Sequence, residues 1–302
     1  MRNKYFLICL ILFLTNLRGQ MNSSKLSITE QAAFSTIRIE VLTDEGIGSG
    51  TGFFYVAVAE EGNNVQGIVT NKHVIKGAKS GTFLFTVADK NGRPSMKEHV
   101  PFKIDNFEQQ WILHPSKDVD LAFMPIQPIF DLLKEKGVTP FLINILPSNI
   151  PSSEILQKLS SVEDILMVGY PIGLWDKENN YPIFRKGITA THPAIDYNGK
   201  PEFMIDAACF PGSSGSPVYI INESNYVDKN GATVFSDRFI LLGILYAGPQ
   251  FTSVGEIKVV DIPTKKDTVT VSRIPMNLGY VIKSRMLLDF EKTIKDLLKT
   301  RK

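Results

Sequence analysis

The chain has 302 residues, 43% of them hydrophobic, 21% charged and 10% aromatic, which excludes disorder, collagen and coiled coil. Thirty-three Lys and Arg against 31 Asp and Glu leave a net charge of +2, so no basic excess marks a nucleic-acid partner. Only Cys9 and Cys209 are present, with no His/Cys cluster at ligand spacing, so neither a disulfide framework nor a bound metal is expected.

The first element is a leader. A basic start, Met1-Arg2-Asn3-Lys4, precedes ten apolar residues from Tyr5 to Leu14, and Thr15 to Gly19 follow as a cleavage region, so residues 1–19 read as a signal peptide. The run is shorter than the roughly 20 residues a spanning helix needs. An exported protein is expected, periplasmic or secreted; left uncleaved, residues 5–17 would anchor it to a membrane instead. Removing 1–19 takes away Arg2, Lys4 and Arg18 but no acid, and leaves one net negative charge.

Short strands follow. Thr36 to Val41 alternates at period two, and Phe53–Val58, Ile68–Thr70, Phe83–Val87 and Leu121–Ile126 are apolar runs between Gly, Asn, Asp and Pro. After a polar stretch with a short helix at Ile129–Lys136 come Ile165–Val168, Phe203–Ile205, Val218–Ile221, Phe239–Leu245 and Leu278–Ile282. Gly248 to Pro275 reads as a long excursion between strands. Met286, Leu287, Phe290, Ile294, Leu297 and Leu298 recur at helical spacing and predict a terminal amphipathic helix. The fold class is all-β, a barrel or sandwich closed by a C-terminal α-helix. Residues 20–130 form a first group of strands, 131–161 a linker, and 162–302 a second group with the helix.

The chemistry concentrates in Pro211-Gly212-Ser213-Ser214-Gly215-Ser216-Pro217. Ser214 is the candidate nucleophile, and Gly212 has the backbone freedom to aim its N–H, together with that of Ser214, at a developing oxyanion. Such a serine needs a base and an orienting acid. His73, His99, His114 and His192 all precede Ser214, which excludes the Ser, acid, His order of α/β-hydrolases. An Asp, His, Ser order could use Asp44 before His73, but nothing around Asp44 or Ser214 supports it, and His, Asp, Ser is the order that remains. His114, next to Pro115, reads as a surface turn, and Cys209 as a small packing residue beside the pocket.

Ile68-Val69-Thr70-Asn71-Lys72-His73 resembles the His motif of bacterial chymotrypsin-like (trypsin-like) serine proteases. Asp118-Val119-Asp120-Leu121-Ala122 resembles their Asp motif, and Gly212 to Pro217 their Gly-x-Ser-Gly-Gly-Pro motif. Gly48-Ser49-Gly50-Thr51-Gly52-Phe53 is similar to the glycine-rich turn that opens the first barrel, and Met167 to Gly173 to a second-barrel segment.

The resemblance implies two antiparallel six-stranded β-barrels, with His73 and Asp120 on the first and Ser214 on the second. It implies a serine endopeptidase acting through an acyl-enzyme, with activity rising as pH passes through the histidine range. Asp118 is the rival of Asp120 for the acid. Gly212 and Ser214 would supply the oxyanion hole, and Ala208, Cys209, Tyr246, Ala247 and Gly248 would bind substrate. With Ala208 at the pocket base, a small or apolar residue before the cut is expected. Digestive relatives place an acid just before the nucleophile to receive a freed amino terminus; here that residue is Ser213, so activation by that route is not expected. Neither a PDZ module nor a cofactor is expected, and the partner is a polypeptide substrate. The rival function is a protease-fold module that binds or senses peptides without turnover.

Overall fold

A computed structural model describes residues 26–60, 63–255 and 270–299. The leader expected at 1–19, its anchored alternative at 5–17 and Cys9 lie outside these. Among the described residues, no helix is long and apolar enough to cross a membrane.

The first described element is α1 (Ile28–Phe34), which begins at a reciprocal cap: Glu30 N donates to Ser27 Oγ, and Ser27 N donates to the Glu30 carboxylate at 2.7 Å. Then come β1 (Thr36–Thr43), β2 (Gly46–Glu60), β3 (Asn63–Thr70), the one-turn helix α2 (Lys72–Ile75), β4 (Ser80–Ala88) and β5 (Pro94–Asp105). β6 (Ile112–Leu113), β7 (Ala122–Pro125), α3 (Gln127–Glu135) and β8 (Pro140–Phe141) complete the first half. The strands pair antiparallel in the order β5-β4-β1-β2-β3-β7-β6, with β8 on β4. Eight strands stand where the resemblance implied six, three more than the five that the apolar runs marked. The additions are β5, largely exposed and polar, and pieces only two residues long, neither of which leaves an apolar run.

The second half holds α4 (Ser153–Gln157), β9 (Asp164–Gly169), β10 (Ile183–Thr189), β11 (Glu202–Asp206), β12 (Pro217–Asn222), β13 (Tyr226–Val227) and β14 (Thr233–Val234). β15 (Arg238–Ala247), β16 (Gln250–Gly255), β17 (Thr270–Pro275), β18 (Leu278–Lys283) and α5 (Asp289–Lys299) follow. Six strands close into a barrel in the order β10-β11-β18-β15-β12-β9, while β13-β14 and β16-β17 are separate ribbons. The excursion expected from Gly248 to Pro275 opens with β16 and ends with β17, which pair antiparallel, while its residues 256–269 lie outside the described residues. The segment expected to link the halves belongs partly to the first sheet: β8 pairs with β4, and Ile145 lies along β2, its N–H donating to Phe54 O at 2.9 Å.

Three cores explain the patterning. Ile37, Ile39 and Val41 of β1 face one core inside the first half with Phe54, Phe83 and Phe85. Met167, Phe203, Ile205, Val218 and Val281 fill the closed barrel. A third core joins the halves: Phe53, Tyr55 and Phe123 meet Tyr219, Ile244 and Ile282, and α5 adds Phe290 and Ile294. β2 therefore buries both faces, which is why Phe53 to Val58 reads as an unbroken apolar run.

His114 is a correction. It is buried, not on a surface turn, and it fastens the terminal helix: Nε2 donates to Met286 O at 3.0 Å, Nδ1 accepts from Ser116 N at 3.1 Å, and the ring meets Phe290 edge-on at 5.4 Å. Burial, more than any neighbour, lowers its pKa below 6.5; Met286 O and Asp289 oppose that shift. Below that value the unfolded chain takes up a proton that the folded chain resists, so stability present at neutral pH is lost on acidification. The melting temperature is expected to fall from pH 7 to about 5 more steeply in the wild type than in His114→Gln. Equal slopes would remove His114 from the account.

Candidate active site

β3 ends at Thr70, and the single turn of α2 then lifts His73 outward while Val74 and Ile75 sink into the first core. His73 keeps 46% of its side-chain surface exposed. Val119 and Leu121 are buried on either side of Asp120, and the Leu121 N–H donates to Val119 O at 3.0 Å across a tight turn from which the Asp120 carboxylate faces His73. Oδ2 lies 2.5 Å from His73 Nδ1, and Oδ1 accepts from the His73 backbone N–H at 3.1 Å. One carboxylate thus grips both ends of one residue. Asn71, fully buried, donates from Nδ2 to Asp120 O at 2.8 Å and fixes the acid's backbone. Asp118 is exposed, and it is Asp120 that the structure brings to His73. With the proton on Nδ1, the free lone pair sits on Nε2, the atom a general base uses.

The Ser214 loop turns on two glycines in the left-handed region, Gly212 at φ +84° and Gly215 at φ +86°. A Cβ at Gly215 would overlap Thr51 O, so only glycine allows this approach. The direction of the loop's N–H groups follows from where the carbonyls are held. Pro211 O accepts from Ile172 N at 2.6 Å, and Ser213 O accepts from Ser216 N at 3.0 Å. In trans peptides the N–H opposes its carbonyl, so the Gly212 and Ser214 N–H groups point away from those anchors. Among the described residues, neither donates a hydrogen bond. Two unspent donors beside a serine can receive an oxyanion.

Thr51 brings the loop to the first half. Its N–H donates to Ser214 O at 2.9 Å, its Oγ1 donates to Gly212 O at 3.0 Å and accepts from Tyr170 N at 3.1 Å, and its carbonyl accepts from Thr70 Oγ1 at 2.7 Å. Thr70 is one residue before Asn71, so a continuous chain of hydrogen bonds links the Ser214 loop to the base of α2. No hydrogen bond joins Ser214 Oγ to His73 in this structure. The stretch Gly48 to Phe53 is not a turn but part of β2, paired with β1 throughout. Its glycines are required by packing: a Cβ at Gly50 would overlap Val74, and one at Gly52 would crowd Ile68 and Ile39. Thr51 went unread as a site residue, and its signal is there as the one larger residue between those glycines.

Ser214 borders a cleft of about 270 Å³ walled by Cys209, Phe210, Leu245, Ala247 and Gly248, with no carboxylate in its lining. Cys209, Ala247 and Gly248 stand where expected. Ala208 does not line the cleft, and its carbonyl is held by Arg185 at 2.6 Å. Tyr246 does not line it either. It sits at a bulge where β15 shifts register against β18, and such an extra residue re-aims its side chain. Burial first, then Glu202, Tyr280 and Asp120, push its phenol up, so it stays neutral. Burial also pushes the Cys209 thiol up to about 11, which leaves it a packing group and not a thiolate. Two larger clefts, about 580 Å³ beside Phe34 and Tyr181 and about 610 Å³ beside Tyr226 and Arg238, contain none of these residues. Among the described residues, no group of three His, Cys, Asp or Glu could hold a metal ion.

The family model of the trypsin-like peptidase domain matches residues 50–227, more than half of the chain, so the chain belongs to the trypsin-like peptidase domain family. Family and fold together support a serine protease. Among solved structures, the chain is similar to the HtrA-type protease AlgW with a tripeptide, at 18% identity and TM-score 0.47, over 89% of this chain and 62% of that one. It is also similar to the serine endoprotease from Yersinia pestis, at 17% identity and TM-score 0.45, over 89% and 65%. A mutant, inactive form of Rv3671c from M. tuberculosis H37Rv matches at 15% identity and TM-score 0.43, over 95% and 98%. The chain spans less than two thirds of the AlgW and Yersinia chains. No curated protein sequence matches it.

Proposed function

We propose that this protein is a serine endopeptidase in which Ser214 is the nucleophile, His73 the general base and Asp120 the group that orients it. Ser214 Oγ attacks a peptide carbonyl as its proton passes to His73 Nε2, and the oxyanion is received by the N–H groups of Gly212 and Ser214. The C–N bond then breaks, His73 gives its proton to the leaving amine, and water hydrolyses the acyl-enzyme by the same transfers in reverse. Substrate backbone would lie along Ala247 and Gly248, and the apolar walls of Cys209, Leu245 and Ala247 favour a small or apolar residue before the cut. The observation that carries this reading is the pair of unspent N–H groups at Gly212 and Ser214, on a loop tied through Thr51 to the strand that leads to His73. The leader-like residues 1–19 support an exported protein, periplasmic or secreted.

The missing hydrogen bond between Ser214 and His73 favours a second reading, a peptide-binding module without turnover. Peptidyl phosphonates that label activated serines separate the two. They are expected to label the wild type but not Ser214→Ala, and probes carrying Ala or Val before the phosphonate should react at least about tenfold faster than those carrying Lys or Arg. Peptide binding without any labelling would establish the second reading. Faster reaction of the Lys or Arg probes would overturn the specificity alone.

A further inference from the structure

We propose that Arg185 is a positioning residue that locks residues 208–214 in the shape that presents the oxyanion donors. The proposal rests on the serine-protease reading above. Arg185 lies on β10, and its Nη1 donates both to Ala208 O at 2.6 Å and to Ser213 Oγ at 2.8 Å. One nitrogen therefore joins the two ends of the segment that contains Gly212. Ser213 is fully buried between the two donor peptides, and its own groups close the turn: its N–H donates to Phe210 O at 3.0 Å, and its Oγ accepts from Phe210 N at 3.4 Å.

Local preference alone would not hold this loop. Gly212 populates either sign of φ about equally, so its N–H would swing away from the substrate but for the bonds from Ile172 N to Pro211 O and from Thr51 Oγ1 to Gly212 O. The tie from Arg185 restrains that swing from the far side of the loop.

The charge itself argues for a role. Nε and Nη2 of Arg185 are buried without hydrogen-bond partners, and among the described residues no carboxylate forms an ion pair with it. Desolvation draws its pKa down to about 10. A methionine would occupy the same volume without that cost. What a methionine lacks is a donor for Ala208 O and Ser213 Oγ. The cation comes from within the folded chain, so the loop is set by folding and needs no cleavage.

The test uses the whole protein with Arg185→Met, Arg185→Lys and Ser213→Ala. Misplacing a catalytic group by about 1 Å can cost about 10²-fold, so Arg185→Met is expected to lower kcat by about that factor with KM within about threefold. Ser213→Ala should lower kcat by about tenfold, the double variant should be no slower than Arg185→Met alone, and Arg185→Lys should recover part of the loss. Amide exchange across 208–214 should quicken in Arg185→Met while the melting temperature holds or rises. Unchanged kcat in both single variants, fully additive losses, or unchanged exchange would overturn the proposal. Should Arg185→Met fail to fold, Ser213→Ala decides by the same readouts. If the wild type proves unreactive to phosphonates, the protease reading fails, and the exchange measurement still decides whether Arg185 holds the loop.

Discussion

Asp120→Asn is expected to lower turnover by about 10⁴-fold while leaving the fold intact. Both carboxylate oxygens of Asp120 face donors, the backbone N–H and Nδ1 of His73. A carboxamide offers one acceptor and one NH₂, so either orientation sets a donor against a donor. If the NH₂ faces Nδ1, the ring must move its proton to Nε2, and the base that Ser214 needs is gone. A 10⁴-fold loss corresponds to about 5.5 kcal/mol in the barrier. Asp118→Asn serves as the control, because Asp118 is exposed and its electrostatic influence falls on Lys72. Steady-state rates on one peptide substrate decide the matter, and the opposite ranking of the two variants would transfer the role to Asp118.

Phe290→Ala should carry the largest stability cost, about 3–5 kcal/mol by chemical denaturation. The ring is fully buried, 5.7 Å between centroids from Phe123 and edge-on to His114, in the core that also contains Ile244 and Ile282 of the closed barrel. Val119 and Leu121, which flank Asp120, belong to that same core. A cavity there would therefore also loosen the acid, and activity should decline before the global transition. Phe235→Ala, at a site 84% exposed, should change stability by no more than about 0.5 kcal/mol. Equal costs at the two positions would mean that α5 adds little to the join.

The triad candidates could be read because each sits in a short contiguous motif whose residue types the chemistry restricts. The strands that bury both faces or alternate cleanly, β1, β2, β12 and β15 among them, could be read from their apolar patterning. β5 could not, since most of its residues face solvent, nor could β10, whose burial is only partial. α1 left a usable signal in Ser27-Ile28-Thr29-Glu30, the pattern of a reciprocal cap, which precedes no long apolar run. Asn71 stood inside the His motif, but its bond to Asp120 O spans 49 residues. Arg185 was beyond reach for the same reason: its partners are a carbonyl and a hydroxyl 23 and 28 residues away. The first contact depends on the pairing of β3 with β7 and the Arg185 contacts on the closure of the second barrel, and no local pattern encodes either.

The return of α5 to the first half bears on biosynthesis. A ribosome releases the chain from its amino end, so His73 and Asp120 emerge long before Phe290 and Ile294. Until those last residues arrive, the core that joins the halves and backs Asp120 is incomplete. A growing or truncated chain can thus hold every residue of the proposed triad and still lack a settled cleavage centre. The cell that makes such an enzyme would be spared its activity until synthesis of the helix is done.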